Sequence, residues 1–294
     1  MTSKALVDRL ENAIGAEGRP RRLISAIDEE LRSYFGLLPI QASERAEQIA
    51  PAIARIIAER SARLEKTGAV PTLTLLGTAS DLVAGFCYVL SADAEEVAAA
   101  KQQRLHVGAL LDAMRALTFN EFEKFGARVL NAIGAKYSSI TPHRGDQGID
   151  FFGHLTLGQL QHLPAPFVRL AHDIGLLFVG QAKHYPNSSL GPEIVRELIG
   201  AVSLARTKTF SKPGVDIFRG FDLKPFSPLV TLLFTTGKIT SGALQVADSA
   251  GIIARSGEQL AVFLADKGVG MIQTETGPIF DQSTFTAWLD PEEY

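Results

Sequence analysis

Only one cysteine occurs among the 294 residues of this chain. It lies in the apolar run Gly85-Phe86-Cys87-Tyr88-Val89, so an internal disulfide framework is excluded and Cys87 reads as a buried thiol rather than a nucleophile. A reducing, cytoplasmic setting is the expectation. Long apolar runs are missing as well. The most apolar stretch, Val70 to Ala92, is interrupted by Pro71, Gly77, Asp81 and Gly85, where a membrane span needs about 20 nearly unbroken apolar residues. It reads as a buried strand and a helix, and no membrane partner is expected. The opening residues Met1 to Glu11 mix charge with apolar residues at helical spacing and show no signal-type apolar core. An excess of one charge is also lacking. With 29 Lys and Arg against 32 Asp and Glu the net charge is −3, which argues against coating nucleic acid by bulk electrostatics but leaves room for a local basic groove. Finally, His154, His162, His172 and His184 follow no compact zinc spacing and no cysteine accompanies them, so a zinc set is rejected.

What is present is a globular composition, 46% apolar and 21% charged, on a chain long enough for one large or two ordinary domains. Residues 1 to about 110 repeat apolar positions every three or four residues, as in Leu23, Ile24, Ile27, Leu31 and Ile49, Ile53, Ile56, Ile57, the signature of helices. Breaks at Gly15 to Pro20, Leu38-Pro39 and Gly68 to Pro71 divide them into short antiparallel helices. Thr72 to Leu76 is the one strand expected there, followed by a helix capped at Ser80 or Asp81 and running through Leu90. A further helix, capped at Asp93 with Glu96 three residues on, is expected to reach about Leu117. There the texture changes, which suggests a mostly helical region over 1–115 and a second domain over 116–294.

From Thr118 strands alternate with helices: a helix over Asn120 to Ile133, strands at Tyr137 to Thr141, Ile149 to Phe152 and Leu176 to Ala182, a helix over Pro192 to Ala205, a strand at Leu229 to Thr235 and a helix over Ser241 to Ala250. Such alternation predicts an α/β layer with at least one parallel pair. Between Asp150 and Gln181, the segment Thr156 to Asp173 is longer than a simple hairpin and carries Pro164 and Pro166. A surface helix and a substrate-contacting loop both fit it.

Three polar positions stand out on this frame. Strand alternation places Asp150 opposite in facing to Ile149 and Phe151, and puts Gln181 and Lys183 on one face with Ala182 on the other. Two polar groups at the end of the apolar strand Leu176-Leu177-Phe178-Val179-Gly180 are costly unless they meet partners. Asp150 and a metal ion would be such partners. Glu123 sits one turn from Phe119 and Gly126, on the flank of the buried stripe of its helix, where a metal ligand and an ordinary ion pair are equal readings. Asp146, between turn residues, reads as loop structure. His143 and Arg144 read either as phosphate contacts or as a solvated loop. Glu193 reads as a helix-terminus acid after Pro192. Arg196 and Glu197 read as a local charge pattern or as support for the site.

Five segments carry a family resemblance in order along the chain. They are Phe122-Glu123 in a helix ending at Ile133-Gly134, Gly145-Asp146-Gln147-Gly148-Ile149-Asp150, Gln181-Ala182-Lys183, Val195-Arg196-Glu197-Leu198-Ile199-Gly200-Ala201, and Phe234-Thr235-Thr236-Gly237. Together, over residues 118 to 266, they resemble the Mrr-type restriction endonuclease domain, a branch of the PD-(D/E)xK nuclease superfamily. The resemblance implies an α/β fold, a restriction-endonuclease-like mixed sheet flanked by helices, preceded here by the mostly helical N-terminal region. It implies a divalent ion, usually Mg²⁺ with Mn²⁺ as the alternative, and hydrolysis of DNA phosphodiesters. Asp150 would be the metal-binding aspartate and Lys183 the catalytic lysine. Gln181 would stand for the superfamily's acidic residue, offering a carbonyl oxygen to the ion without a negative charge, and Glu123 would be the helix acid.

The expected function is therefore a metal-dependent DNA endonuclease acting in restriction of foreign or modified DNA. Two alternatives stand beside it: a nuclease on RNA or on repair and recombination intermediates, and a non-catalytic nucleic-acid-binding module with the same fold. Two cuts in a duplex generally need two sites, so a homodimer is expected. The first 115 residues carry no groove-reading motif, and a partner protein is one expectation for them.

Overall fold

Thr2 begins the first helix, α1 (Ser3–Ile14), by accepting the amide of Ala5 on its hydroxyl at 3.2 Å. The structure, a computed structural model, describes residues 2–140, 148–157, 174–207 and 227–291. Two units make it up: residues 1–108 with 262–280, and residues 109–261 with 281–294. Among the described residues no helix is long and apolar enough to cross a membrane.

In the first unit, α1 packs with α2 (Leu23–Ser33) and α3 (Pro39–Lys66) around Leu6, Leu10, Ile27, Leu31, Ile53 and Ile57. The third helix is longer than the short helices the sequence breaks suggest. Pro51 lies within it on an exposed face, where the carbonyl left without a helical donor can be solvated. Arg60 joins α3 to α1 by donating to Asp8 at 2.7 Å and Glu11 at 2.5 Å. These bonds, that to Glu11 first, hold its guanidinium above its ordinary value.

The stretch expected to pass from strand to helix is a hairpin. Strands β2 (Leu73–Leu76) and β3 (Leu82–Gly85) pair antiparallel, and β1 (Arg21–Arg22) adds to the far edge of β3. The turn decides this. Gly77 and Ser80 adopt left-handed backbone with φ 84° and 53°, reversing the chain where a helix start needs right-handed residues. The long helix expected from Asp93 is likewise two helices, α4 (Glu95–Arg104) and α5 (Val107–Ala116). Asp93 does not cap α4. Its carboxylate accepts from Lys101 Nζ and the Leu90 amide, each at 2.8 Å, which holds its pKa below the usual carboxylate range, the lysine bond first. The return segment of the first unit carries the antiparallel pair β11 (Met271–Thr274) and β12 (Gly277–Phe280). Arg104 holds it by two bonds to Asp266, at 2.6 and 2.9 Å.

The second unit is built on a mixed five-stranded sheet. Strands β4 (Lys136–Ile140), β5 (Phe151–Thr156) and β6 (Gly175–Lys183) form an antiparallel meander, so the extra length before β6 does not interrupt it. The Leu157 amide donates to the Ile174 carbonyl at the base of that connection; Pro164, Pro166 and the rest of 158–173 lie outside the described residues. β8 (Leu229–Thr235) and β10 (Ile252–Arg255) then add in parallel beyond β6. A minor parallel pair joins β7 (Ser189–Leu190) to β9 (Lys238–Ile239).

One face of this sheet is covered by α6 (Phe119–Ile133), which starts with a reciprocal capping box between Thr118 and Glu121 and stops at Gly134 in left-handed backbone. The opposite face is covered by α7 (Pro192–Arg206) and α8 (Ser241–Ala250), whose Val195, Leu198, Ala201, Ala243 and Ala247 close on Ile149, Val179 and Leu233. Beyond α9 (Gly257–Asp266), the last helix, α10 (Gln282–Leu289), packs on α6: Arg128 donates to the Trp288 carbonyl at 2.7 Å and lies over its ring.

Phe151 is the pin between α6 and the sheet. Its ring stacks on Phe234, with centroids 5.3 Å apart. A Cβ on Gly126 would fall 2.3 Å from that ring and a Cβ on Gly180 2.1 Å from it, so glycine is required on both sides. Gly126→Ala and Gly180→Ala are each expected to destabilise the protein by about 1–3 kcal/mol, because the ring has no free side to move toward. In a Phe151→Leu background the cost of Gly180→Ala should largely disappear, a coupling that urea unfolding of the four variants measures directly.

Candidate active site

Helix α6 runs antiparallel to β6. Phe122 meets the His184 ring edge-on at 5.8 Å, Gly126 lies over Phe151 opposite Gly180, and Leu130 lies over Gly153 opposite Phe178. The N-terminal turn of α6 is therefore level with the C-terminal end of β6. All four residues singled out in the sequence come to this end of the sheet, by different routes.

Gln181 and Lys183 extend from β6 on the α7 face, in phase with Val179, which packs among the α7 side chains. The residues opposite them on β8 are Leu233 and Thr235. Gln181 is 1% exposed, and its Oε1 has no hydrogen-bond partner. Its Nε2 is 3.4 Å from where a Cβ on Gly148 would stand, as is the Ala201 methyl. With φ 80°, Gly148 suits the left-handed backbone this approach uses. Lys183 is half-buried.

Asp150 departs from the expected arrangement. It does not sit within a strand whose neighbours share a face: β5 begins one residue later and runs on to Thr156. Ile149 packs with Val179 and α7, whereas Phe151 lies on the α6 face. The cause is the turn at Gly148, which breaks the alternation before the strand begins. Asp150 thus ends in the line of the sheet. Its amide donates to the Gly180 carbonyl at 2.9 Å, and its Oδ2 accepts the Ala182 amide at 2.7 Å. The carboxylate, 5% exposed, takes the position that the next carbonyl of β5 would have held against β6.

Glu123, 3% exposed, lies one turn before Gly126 on α6 and approaches from the face opposite Gln181 and Lys183. The structure therefore bonds Asp150 to β6 on either side of Gln181, through the Gly180 carbonyl and the Ala182 amide, sets Lys183 on the Gln181 face, and carries Glu123 to the same end on the other side. Two more polar groups at this end were not singled out as site residues by sequence. His184 Nε2 and Thr236 Oγ1 are buried and unpartnered, and Thr236 is 0% exposed. In the sequence His184 appeared in the rejected zinc set and Thr236 in the segment Phe234-Thr235-Thr236-Gly237; their position just past two apolar strand runs is the signal that could have found them.

Glu193, Arg196 and Glu197 are exposed on α7, with Glu193 in its first turn. His143, Arg144, Asp146, Lys208 and Lys212 lie outside the described residues. Among the described residues, no three His, Cys, Asp or Glu side chains gather as a metal cluster. The donors available at this end, the Asp150 carboxylate and the unpartnered Gln181 carbonyl, are hard oxygens, the donor type that suits a divalent cation of the Mg²⁺ class.

Residues 114–211 match the family model described as restriction endonuclease, Mrr_cat, and this segment carries an Mrr-type restriction endonuclease domain. The resemblance read in the sequence extends further, to about residue 266. No curated protein matches the chain. Among solved structures it is similar to the MspJI restriction endonuclease in complex with a 27-mer oligonucleotide, at 20% identity over 70% of this chain and 40% of that one, with a TM-score of 0.37. It is also similar to the DNA modification-dependent restriction endonuclease AspBHI, at 19% identity over 63% of this chain and 39% of that one, with a TM-score of 0.40. The chain spans about 40% of the length of these two proteins.

The two central residues should separate in their effect on folding. Asp150→Ala leaves the buried Ala182 amide without its acceptor and is expected to cost about 1–3 kcal/mol. Gln181→Leu removes an unpartnered carbonyl and is expected to be neutral within about 1 kcal/mol. Thermal unfolding in EDTA checks the contrast; equal losses would contradict this account of the site.

Proposed function

We propose that the second unit hydrolyses phosphodiester bonds of DNA, using a Mg²⁺ ion, with Mn²⁺ as the alternative, held by Asp150 and Gln181 with Glu123 as a further ligand. The observation that carries this reading is the buried, unpartnered Gln181 carbonyl, on the residue just before the Ala182 amide that holds the Asp150 carboxylate, with Lys183 two residues along on the same face. An orphaned buried acceptor calls for a partner, and a restriction endonuclease domain supplies the reason for an ion there.

When bound, the ion supplies positive charge to the phosphate and acidifies water. The remaining work falls to the protein. Asp150 is held rigidly by its bond to the Ala182 amide, so its other oxygen is fixed relative to Gln181. Because Gln181 is neutral, attraction for the ion comes from Asp150 and Glu123. Lys183 extends from the same strand face, where its ammonium can orient the attacking water and neutralise charge building on the phosphate, and where its neutral amine could instead accept a proton from that water. A biological role in restricting foreign or modified DNA follows from the domain type, and cutting both strands of a duplex would use two copies of the site, hence a homodimer.

Supercoiled plasmid, methylated and unmethylated, incubated with Mg²⁺, Mn²⁺ or EDTA is the direct test. Metal-dependent cutting is expected, with Lys183→Ala slower by about 10²–10⁴-fold and Asp150→Ala inactive. Linear, branched and RNA substrates run alongside decide the substrate class. Cutting that persists in EDTA, or that both variants retain, would overturn the reading.

A further inference from the structure

Five buried side-chain polar atoms among the described residues have no hydrogen-bond partner, and three of them belong to this one end of the sheet: Gln181 Oε1, His184 Nε2 and Thr236 Oγ1. Gln181 Oε1 is accounted for by the ion site. The other two stand one residue past the ends of β6 and β8. His184 follows Ala182 in phase along β6, and its ring meets Phe122 of α6. Thr236 comes two residues after Phe234, which stacks on Phe151 beneath Gly126 of the same helix. Continued by one residue, the parallel register that ends at Lys183 and Thr235 would set His184 beside Thr236. The α6 turn above them carries Glu123, the residue after Phe122.

Buried polar groups without partners are costly, and a Thr hydroxyl is easily replaced by a methyl of the same shape. Their pairing is explained if they serve a third group. A buried water is retained where two to four polar groups converge on it, and the end of the sheet that α6 reaches with Glu123 offers an unpartnered imidazole nitrogen and an unpartnered hydroxyl. We propose that His184 and Thr236 together hold an ordered water that hydrogen-bonds the Glu123 carboxylate, making both of them positioning residues that aim Glu123 at the ion. The assignment rests on the ion site proposed above. In it, Asp150 and Gln181 hold the ion from the sheet, and His184 and Thr236 fix the carboxylate that reaches it from α6.

Mn²⁺ binding to the full chain, followed by electron paramagnetic resonance without substrate, tests this apart from cleavage. Thr236→Val is expected to weaken Mn²⁺ affinity about 10-fold, the usual scale for losing a group that orients a ligand, while its melting temperature in EDTA stays level or rises. His184→Phe, which keeps the ring against Phe122, should weaken binding similarly, Glu123→Gln at least as much, and Thr236→Ser should restore it. Native affinity in Thr236→Val and His184→Phe, with Asp150→Asn impaired, would overturn the positioning role and leave the ion site standing. If the native chain binds no Mn²⁺, or Asp150→Asn binds as the native chain does, the ion site fails and the positioning role fails with it.

Discussion

The bond from the Ala182 amide to the Asp150 carboxylate is the constraint on which the site depends. Strand β6 continues past the point where β5 begins, which leaves its last inward-pointing amide without a backbone acceptor. Asp150 fills that place with a side-chain oxygen. A buried amide must be paired, so the fold itself holds one carboxylate oxygen at the sheet terminus, and the second oxygen is fixed by the geometry of the first. Gly148 turns the chain to make this possible and leaves room for Gln181 beside it.

This end of the sheet is consequently built by three elements that are each secured elsewhere. β6 is held on both edges by β5 and β8. α6 is pinned by Phe151 between two glycines and backed by Arg128 and Trp288 from α10. The parallel ladder with β8 delivers Thr235 alongside Lys183. Rigid elements of this kind position functional groups more narrowly than loops do. The cost appears as polar atoms buried without partners within the protein, and the structure concentrates it where a ligand is expected.

Much of this was legible in the sequence. Leu229 to Thr235 and Ser241 to Ala250 have the observed bounds, because an apolar run and a capped amphipathic segment are local signals. The polar pair Gln181 and Lys183 was legible because two polar residues in phase at the end of an apolar strand contradict simple burial. Other features depend on distant partners. Leu82 to Gly85 is an apolar run that suits helix or strand, and two left-handed residues upstream settle it. Asp93 resembles a helix cap, but Lys101 and the Leu90 amide claim it. Asp150 was assigned to a strand that starts one residue later, since the bond that places it reaches across 32 positions. His184 and Thr236 gain meaning only once two strands lie side by side.

The central claim is that Asp150 and Gln181 hold a divalent ion at the end of β6. Crystals of the Lys183→Ala variant grown with Mn²⁺ and measured at an anomalous wavelength test it most directly. The account predicts a strong anomalous peak about 2–2.5 Å from both an Asp150 oxygen and Gln181 Oε1. A well-ordered site without such a peak, with Gln181 Oε1 instead bonded to a protein group, would contradict it.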